Sequence, residues 1–106
     1  MAKQKKEKAE NIIREAARLR QSGRYKDSLK ILSTLISENS SAANSTLYNG
    51  IGLSYLGLEQ RKEAIIAFNT ALKLNPKDAY ASNYLGNIYR ENGKLSEALK
   101  WFEYSI

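Results

Sequence analysis

A repeat with a period of thirty-four residues is the feature of this sequence that most constrains its fold. The stretch 45–78 and the stretch that follows it carry the same residue types at several matching positions. Gly52 is matched by Gly86, and Phe68 is matched by Phe102. A fixed period of this size indicates a fold built by stacking one supersecondary unit several times along the chain.

Each unit contains two successive segments with helical spacing of apolar residues. In the second unit, Ile51 and Tyr55 share one helix face, and Ala64 and Phe68 share a face of the next helix. The short turn between such helices requires them to lie antiparallel as a hairpin. The pattern predicts six helices, over residues 9–22, 24–37, 45–58, 61–74, 78–91 and 95–106, and therefore three hairpins.

Signals at the helix ends agree with this division. Asn44 or Ser45 can cap the third helix after the polar segment 38–45, which we expect to be a loop. Pro76 ends the fourth helix, because the residue before a proline is disfavoured in the helical conformation. Gly52 lies inside the third helix at a cost of roughly 1 kcal/mol relative to alanine. We therefore expect a neighbouring helix to cross close to it, where no side chain would fit.

Composition excludes several classes of function. Hydrophobic residues make up 42% and charged residues 26%, as in an ordinary folded soluble protein. No apolar run is long enough to cross a membrane, and no secretory signal follows the start of the chain. The chain contains no histidine and no cysteine, so we expect no catalytic residue, no metal site and no cofactor. The lack of cysteine fits a cytoplasmic protein.

The repeat frame resembles the tetratricopeptide repeat family. The second unit carries the family's pattern at Tyr48, Ile51, Gly52, Tyr55, Ala64, Phe68, Ala71 and Pro76. The third unit carries it at Leu85, Gly86, Tyr89, Ala98 and Phe102, with Ser82 where a large aromatic residue is usual. The first unit is degenerate and has Ile12, Ala16, Leu19, Ser28, Leu32 and Leu35 at the matching positions.

The resemblance implies an all-α fold, a right-handed α-solenoid of three antiparallel helix hairpins. The units would span about 9–44, 45–78 and 79–106, the last one incomplete and uncapped. Residues 1–8 form a basic N-terminal extension, into which the first helix can continue.

In this family the first helix of each hairpin lines a concave groove that holds a peptide. The resemblance therefore implies a non-catalytic protein–protein interaction scaffold with a protein or peptide ligand. The groove positions, transferred to this sequence, are Glu10, Ile13, Ala17, Arg20, Thr46, Asn49, Leu53, Leu56, Tyr80, Asn83, Asn87 and Arg90. The asparagine amides suit a peptide backbone, but amides at these places can also satisfy neighbouring helix ends. Tyrosine and arginine are residue types that often dominate binding energy.

One subclass of the family binds the C-terminal carboxylate of chaperones through lysine, arginine and asparagine side chains. The matching positions here are Ile13, Ala17, Gly50, Tyr80 and Tyr84, and none of them carries the required charge. We therefore expect no chaperone carboxylate-clamp ligand.

Two alternative functions remain open. The sequence ends inside the last predicted helix without a polar capping helix, which would leave Trp101, Phe102 and Ile106 partly uncovered. These residues could support self-association as a homo-oligomer, or the chain could be a fragment of a longer protein. The net charge of +6, about half of it from lysines near the N-terminus, makes nucleic-acid binding a third and less favoured function. The plainer interpretation of those lysines is a solvated helix start.

Overall fold

A computed structural model describes residues 2–91, with the side chains of residues 4–91, and this part of the chain is helical without strands. Five α-helices and one short 3₁₀ turn are present in it. The helices are α1 (Ala2–Gln21), α2 (Tyr25–Glu38), α3 (Ser45–Gly57), α4 (Arg61–Leu74) and α5 (Ala79–Glu91), and the 3₁₀ turn is Ser40–Ala42. The sixth predicted helix falls on residues 92–106, outside the described residues.

Neighbouring helices form hairpins that stack on one another. Helix α1 packs on α2, and α3 packs on α4. The second hairpin rests on the first through contacts of α3 with both α2 and α1, and α5 then packs on α4. This is the all-α solenoid that the repeat predicts. In a stack of this kind, the first helices of successive hairpins, α1, α3 and α5, follow one another along one side.

The two complete hairpins turn in the same way. In the first, Arg24 N–H donates to Leu19 C=O at 2.8 Å, and the intervening Gly23 has φ +78°. In the second, Gln60 N–H donates to Tyr55 C=O at 2.9 Å, and Glu59 has φ +61°. Both ends are Schellman caps with a left-handed residue at the same repeat position. Glycine adopts this conformation freely, whereas glutamate is strained there by about 1 kcal/mol.

Two apolar clusters make up the core. The first lies between the hairpins and includes Leu32, Leu47 and Ile51, and the second is centred on Phe68 and Leu85. Half-buried tyrosines 48 and 55 pack against both clusters and so connect them. Full burial of each large side chain contributes roughly 2 kcal/mol relative to exposure, which makes hairpin stacking the main source of stability.

The close approach expected at Gly52 is present. A Cβ added to this residue would lie 2.6 Å from both Cε1 and Cζ of Phe68, whose side chain is fully buried. Gly57 has a similar role at the end of α3, where a Cβ would collide with the ring of Tyr25. Glycine lowers the helix propensity of α3 at these two positions, but it allows the neighbouring side chains to pack closely against the helix.

The signals at the start of α3 and at the end of α4 agree with the sequence, whereas α1 begins at Ala2 rather than at residue 9. Asn44 caps α3, since its Oδ1 accepts the N–H of Leu47 at 2.9 Å, and Asn75 ends α4 in an extended conformation. The segment 38–45, expected to be a loop, contains the 3₁₀ turn Ser40–Ala42, and Ala42 is buried in the first cluster. Two adjacent alanines among polar residues carry no periodic signal, so the pattern could not reveal this turn.

Candidate protein-interaction groove

A concavity of about 640 Å³ lies between α1, α3 and the start of α5. Its floor is apolar, because Ile13 and Ala17 follow each other one turn apart on α1 and Leu53 faces them from α3. Tyr80 and Tyr84 enter from α5 at the same spacing. The remaining lining residues are polar or small: Arg14, Arg20, Ser45, Thr46, Asn49, Gly50, Asn75, Lys77, Asp78 and Ala79.

A second concavity of about 510 Å³ continues toward the hairpin turns. It shares Ala17, Arg20 and Leu53 with the first concavity, and it adds Leu56 and the ring of Tyr25. The two concavities together are called the groove below. Their shared residues place Arg20 at the midpoint of the groove, with open surface on either side of it.

A chain of hydrogen bonds across three helices positions Arg20. Ser54 Oγ donates to the Gly50 carbonyl of its own helix at 2.9 Å. The single hydroxyl proton of Ser54 is then used, so Ser28 Oγ donates to Ser54 Oγ, at 2.9 Å. Ser28 Oγ in turn accepts from Arg20 Nη1 at 3.3 Å. Both serines are fully buried, and the chain therefore connects the guanidinium to the interior of the first two hairpins.

The charge of the groove is predominantly positive. Three cations line the larger concavity, Arg14, Arg20 and Lys77, against one carboxylate, Asp78. Among the described residues, ion pairs join other arginines to acids, but none involves these three cations. Burial lowers the pKa of Arg20 from its ordinary value, and the nearby Tyr84 partly opposes that effect. The guanidinium remains protonated at neutral pH, so this is a partly desolvated positive charge.

Both carboxylate oxygens of Asp78 accept hydrogen bonds within the fold. Its Oδ1 accepts the N–H of Ala81 at 3.1 Å and so caps the N-terminus of α5. Its Oδ2 accepts from Asn49 Nδ2 at 2.8 Å, which joins α3 to α5. This bond fixes the orientation of the Asn49 amide, and the buried Oδ1 of Asn49 has no hydrogen-bond partner among the described residues. One amide hydrogen of Asn49 thus satisfies a neighbouring helix end, as the alternative interpretation of the groove asparagines allowed.

The residues assigned to the groove from the sequence separate into groups. Ile13, Ala17, Arg20, Thr46, Asn49, Leu53 and Tyr80 line the larger concavity, and Leu56 lines the smaller one. Asn83, Asn87 and Arg90 lie on α5 and line neither concavity, and Glu10 borders a separate depression beside the 3₁₀ turn. Trp101, Phe102 and Ile106, assigned to self-association, lie outside the described residues.

The sequence pattern did not reveal the buried polar side chains that hold this surface in place. In the repeat pattern, Ser28 is a small residue at the position that Ala64 and Ala98 hold in the other units. The difference was a usable signal, because a buried serine among alanines implies a hydrogen-bond partner. Nothing in the pattern marked Ser54. Asp78 ends its unit in the sequence, and its bond to Asn49 depends on how the hairpins stack.

Comparison with known proteins agrees with this architecture. A family model for the tetratricopeptide repeat matches residues 49–106, more than half of the chain. The chain belongs to the tetratricopeptide repeat family. The fold class expected from the repeat is thereby confirmed, and membership supports a role as a protein-interaction scaffold. The tetratricopeptide fold generally serves as such a scaffold without catalysis of its own.

Solved structures of MamA from Desulfovibrio magneticus RS-1 resemble the chain in fold. One, of MamA from residue 41 to its end, superposes with a TM-score of 0.77 at 26% identity, over 87% of this chain and 51% of that one. The MamA RS-1 ArsTM double mutant gives a TM-score of 0.78 at 25% identity, over 92% of this chain and 53% of that one. The chain thus spans about half the length of these tetratricopeptide-like proteins.

Curated relatives are much longer than this chain. A SPINDLY protein of Hordeum vulgare, named a probable UDP-N-acetylglucosamine–peptide N-acetylglucosaminyltransferase, is 28% identical over 102 residues. These residues are 96% of this chain and 11% of the barley protein. The SPINDLY protein of Solanum lycopersicum is 27% identical over 88 residues, 83% of this chain and 9% of its own length. The likeness covers repeats only, so the transferase activity belongs to those proteins.

In residues 2–91, no helix combines the length and the apolar character needed to cross a bilayer.

Proposed function

We propose that this chain binds a peptide segment of a partner protein in the groove formed by α1, α3 and α5. The observation that carries the proposal is the continuity of the two concavities through Ala17, Arg20 and Leu53. An apolar floor bordered by a few polar groups is the usual character of a recognition site. An elongated groove, rather than a closed pocket, suits a chain-like ligand.

Tyr80 is the residue best placed to anchor such a peptide. Its side chain is 73% exposed, which is unusual for a large aromatic group in a folded chain, and it borders the apolar floor. Tyrosine contributes large contact area with little loss of side-chain entropy, so it is enriched among residues that dominate binding. Because the ring contributes little to the core, its removal separates binding from folding.

The proposal can be tested by selecting peptides from a random displayed library against the whole chain and measuring their affinity by calorimetry. Tyr80→Ala should weaken the selected peptides about tenfold, the effect of losing an anchor of this kind. Ile66→Ala is the matched control, since Ile66 is 66% exposed on α4 and lines neither concavity. The Ile66→Ala variant should bind the selected peptides with the same affinity as the unchanged chain.

Two results would refute the proposed function. One is a selection that yields no peptide. The other is a set of peptides whose affinity is the same after Tyr80→Ala, or falls only after Ile66→Ala. Affinity that falls only after Ile66→Ala would place the interaction surface on the second helices of the hairpins.

A further inference from the structure

We propose that Arg20 is the specificity-determining residue of the groove and binds the side-chain carboxylate of an Asp or Glu inside the partner peptide. This inference rests on the proposed function, because it names the chemistry of the ligand in the same groove. It is carried by three observations: the fixed position of the guanidinium, its lack of a carboxylate partner among the described residues, and the course of the groove around it.

The position of Arg20 is set by the buried serines rather than by solvent. Ser54 donates to Gly50 and Ser28 donates to Ser54, so the hydroxyl hydrogen of Ser28 is already used. The Ser28 oxygen can therefore only accept a further hydrogen bond, and Arg20 Nη1 donates it. Gly50 supplies the space: a Cβ there would lie 3.2 Å from Arg20 Nη1. A guanidinium held in this way loses little side-chain freedom when it binds, which favours affinity.

The charge of Arg20 is not compensated within the described residues. No carboxylate lies within ion-pairing distance of it, and Ser28 is its hydrogen-bond partner there. Of five N–H donors on a guanidinium, one is engaged by Ser28, so a planar carboxylate can still be bound. The partial burial that lowers the pKa of Arg20 also strengthens its attraction for an anion that displaces the remaining water.

The course of the groove favours an internal side chain over a chain end. Open surface continues from Arg20 toward Leu56 on one side and toward Thr46 and Tyr80 on the other. A peptide can therefore pass Arg20 in both directions and present a carboxylate to it from its middle. Arg20 is also not one of the five positions at which the chaperone-binding subclass holds a C-terminal carboxylate.

The test uses the peptides selected against the whole chain. The acidic residue of a selected peptide is replaced by its amide, Glu→Gln or Asp→Asn, and both forms are titrated against the unchanged protein and Arg20→Gln. The unchanged protein should prefer the acidic form about tenfold or more, as expected for a charge-assisted pair. Arg20→Gln should bind the two forms equally.

Arg18→Gln is the matched control. It removes the same charge from the same helix, but Arg18 is exposed, pairs with Glu15 and lines neither concavity. The preference for the acidic peptide should persist in this variant. Equal loss of preference in both variants would mean that only the net charge matters, and the inference about Arg20 would be overturned.

A second measurement needs no variant, and it applies if Arg20→Gln does not fold. The Nε–H signals of the arginines are followed by NMR while the acidic peptide is added to the unchanged protein. The Arg20 signal should shift strongly, and those of Arg18 and Arg24 should not. An unmoved Arg20 signal overturns the inference.

The two proposals fail in different ways. Selected peptides that lose affinity after Tyr80→Ala but carry no acidic residue, or bind Arg20→Gln unchanged, would contradict the role of Arg20 alone. Peptides that are insensitive to Tyr80→Ala would contradict the groove itself.

Discussion

Gly52→Ala tests whether close packing between α3 and α4 decides the sequence of the repeat. Alanine should favour the helix by about 1 kcal/mol relative to glycine. Its Cβ, however, would lie 2.6 Å from two ring atoms of Phe68 and 2.9 Å from a third. The ring is fully buried and stacks on Tyr84 with centroids 5.1 Å apart, so it cannot move without disturbing the second core cluster.

The magnitude follows from these opposing terms. Overpacking a rigid core costs about 1–3 kcal/mol, and three atoms inside normal contact distance place this site near the upper limit. After subtraction of the helix gain, Gly52→Ala should lower the free energy of unfolding by about 2 kcal/mol. For a chain of this length, that change lowers the melting temperature by about 8–16 °C.

The assay is urea and thermal unfolding followed by circular dichroism. Ser33→Ala, on the exposed side of α2, is the control for helix propensity and should stabilise slightly. In the double variant Gly52→Ala with Phe68→Leu, the leucine lacks the two ring atoms closest to the new Cβ. The combined loss should therefore be smaller than the sum of the two single losses. A Gly52→Ala variant with a melting temperature above that of the unchanged chain would refute this explanation.

Three further changes test other parts of the molecule. Glu59→Gly removes the strain at positive φ in the second hairpin turn, so urea unfolding should show a gain of about 0.5–1 kcal/mol. Asp78→Ala removes the cap of α5 and leaves its partner amide on α3 without an acceptor, so the same assay should show a loss of about 2–3 kcal/mol. Asn83→Ala combined with Asn87→Ala should weaken selected peptides about tenfold if the groove continues along α5, since each amide would contribute a hydrogen bond. Calorimetry that finds unchanged affinity would confine the groove to the two concavities.

The sequence predicted the helices because their signals are local and repeated. The bounds of α4 agree residue for residue with the expected 61–74, and α3 and α5 differ by a single residue at one end. Apolar periodicity and end signals such as Asn44 and Pro76 act within one or two turns of the chain, so they can be recognised without tertiary information. Gly23 and Glu59 both adopt the left-handed conformation in their hairpin turns.

The candidate site was less accessible to sequence reasoning. Repeat positions indicate which side of a hairpin faces the groove, but they do not indicate which side chains are already engaged by neighbours. The sequence leaves open whether the Asn49 amide meets a ligand or a neighbouring helix end, and the structure directs one of its hydrogens to Asp78. Arg20 was assigned to the groove, yet its fixing by Ser28 and Ser54 depends on three helices meeting. Such long-range polar pairs leave no periodic trace in the sequence.

The bond between Asn49 and Asp78 links the shape of the groove to the stacking of the hairpins. Asp78 directly precedes α5 and caps it, and Tyr80 lies in the first turn of that helix. If the bond sets the angle at which α5 leaves α4, it also sets the distance between Tyr80 and the floor on α1. Changes at Asp78 should then alter stability and peptide affinity together, whereas changes at Tyr80 should alter affinity alone. A stable Asp78 variant with unchanged affinity would show that packing of α5 on α4 holds the groove open without this bond.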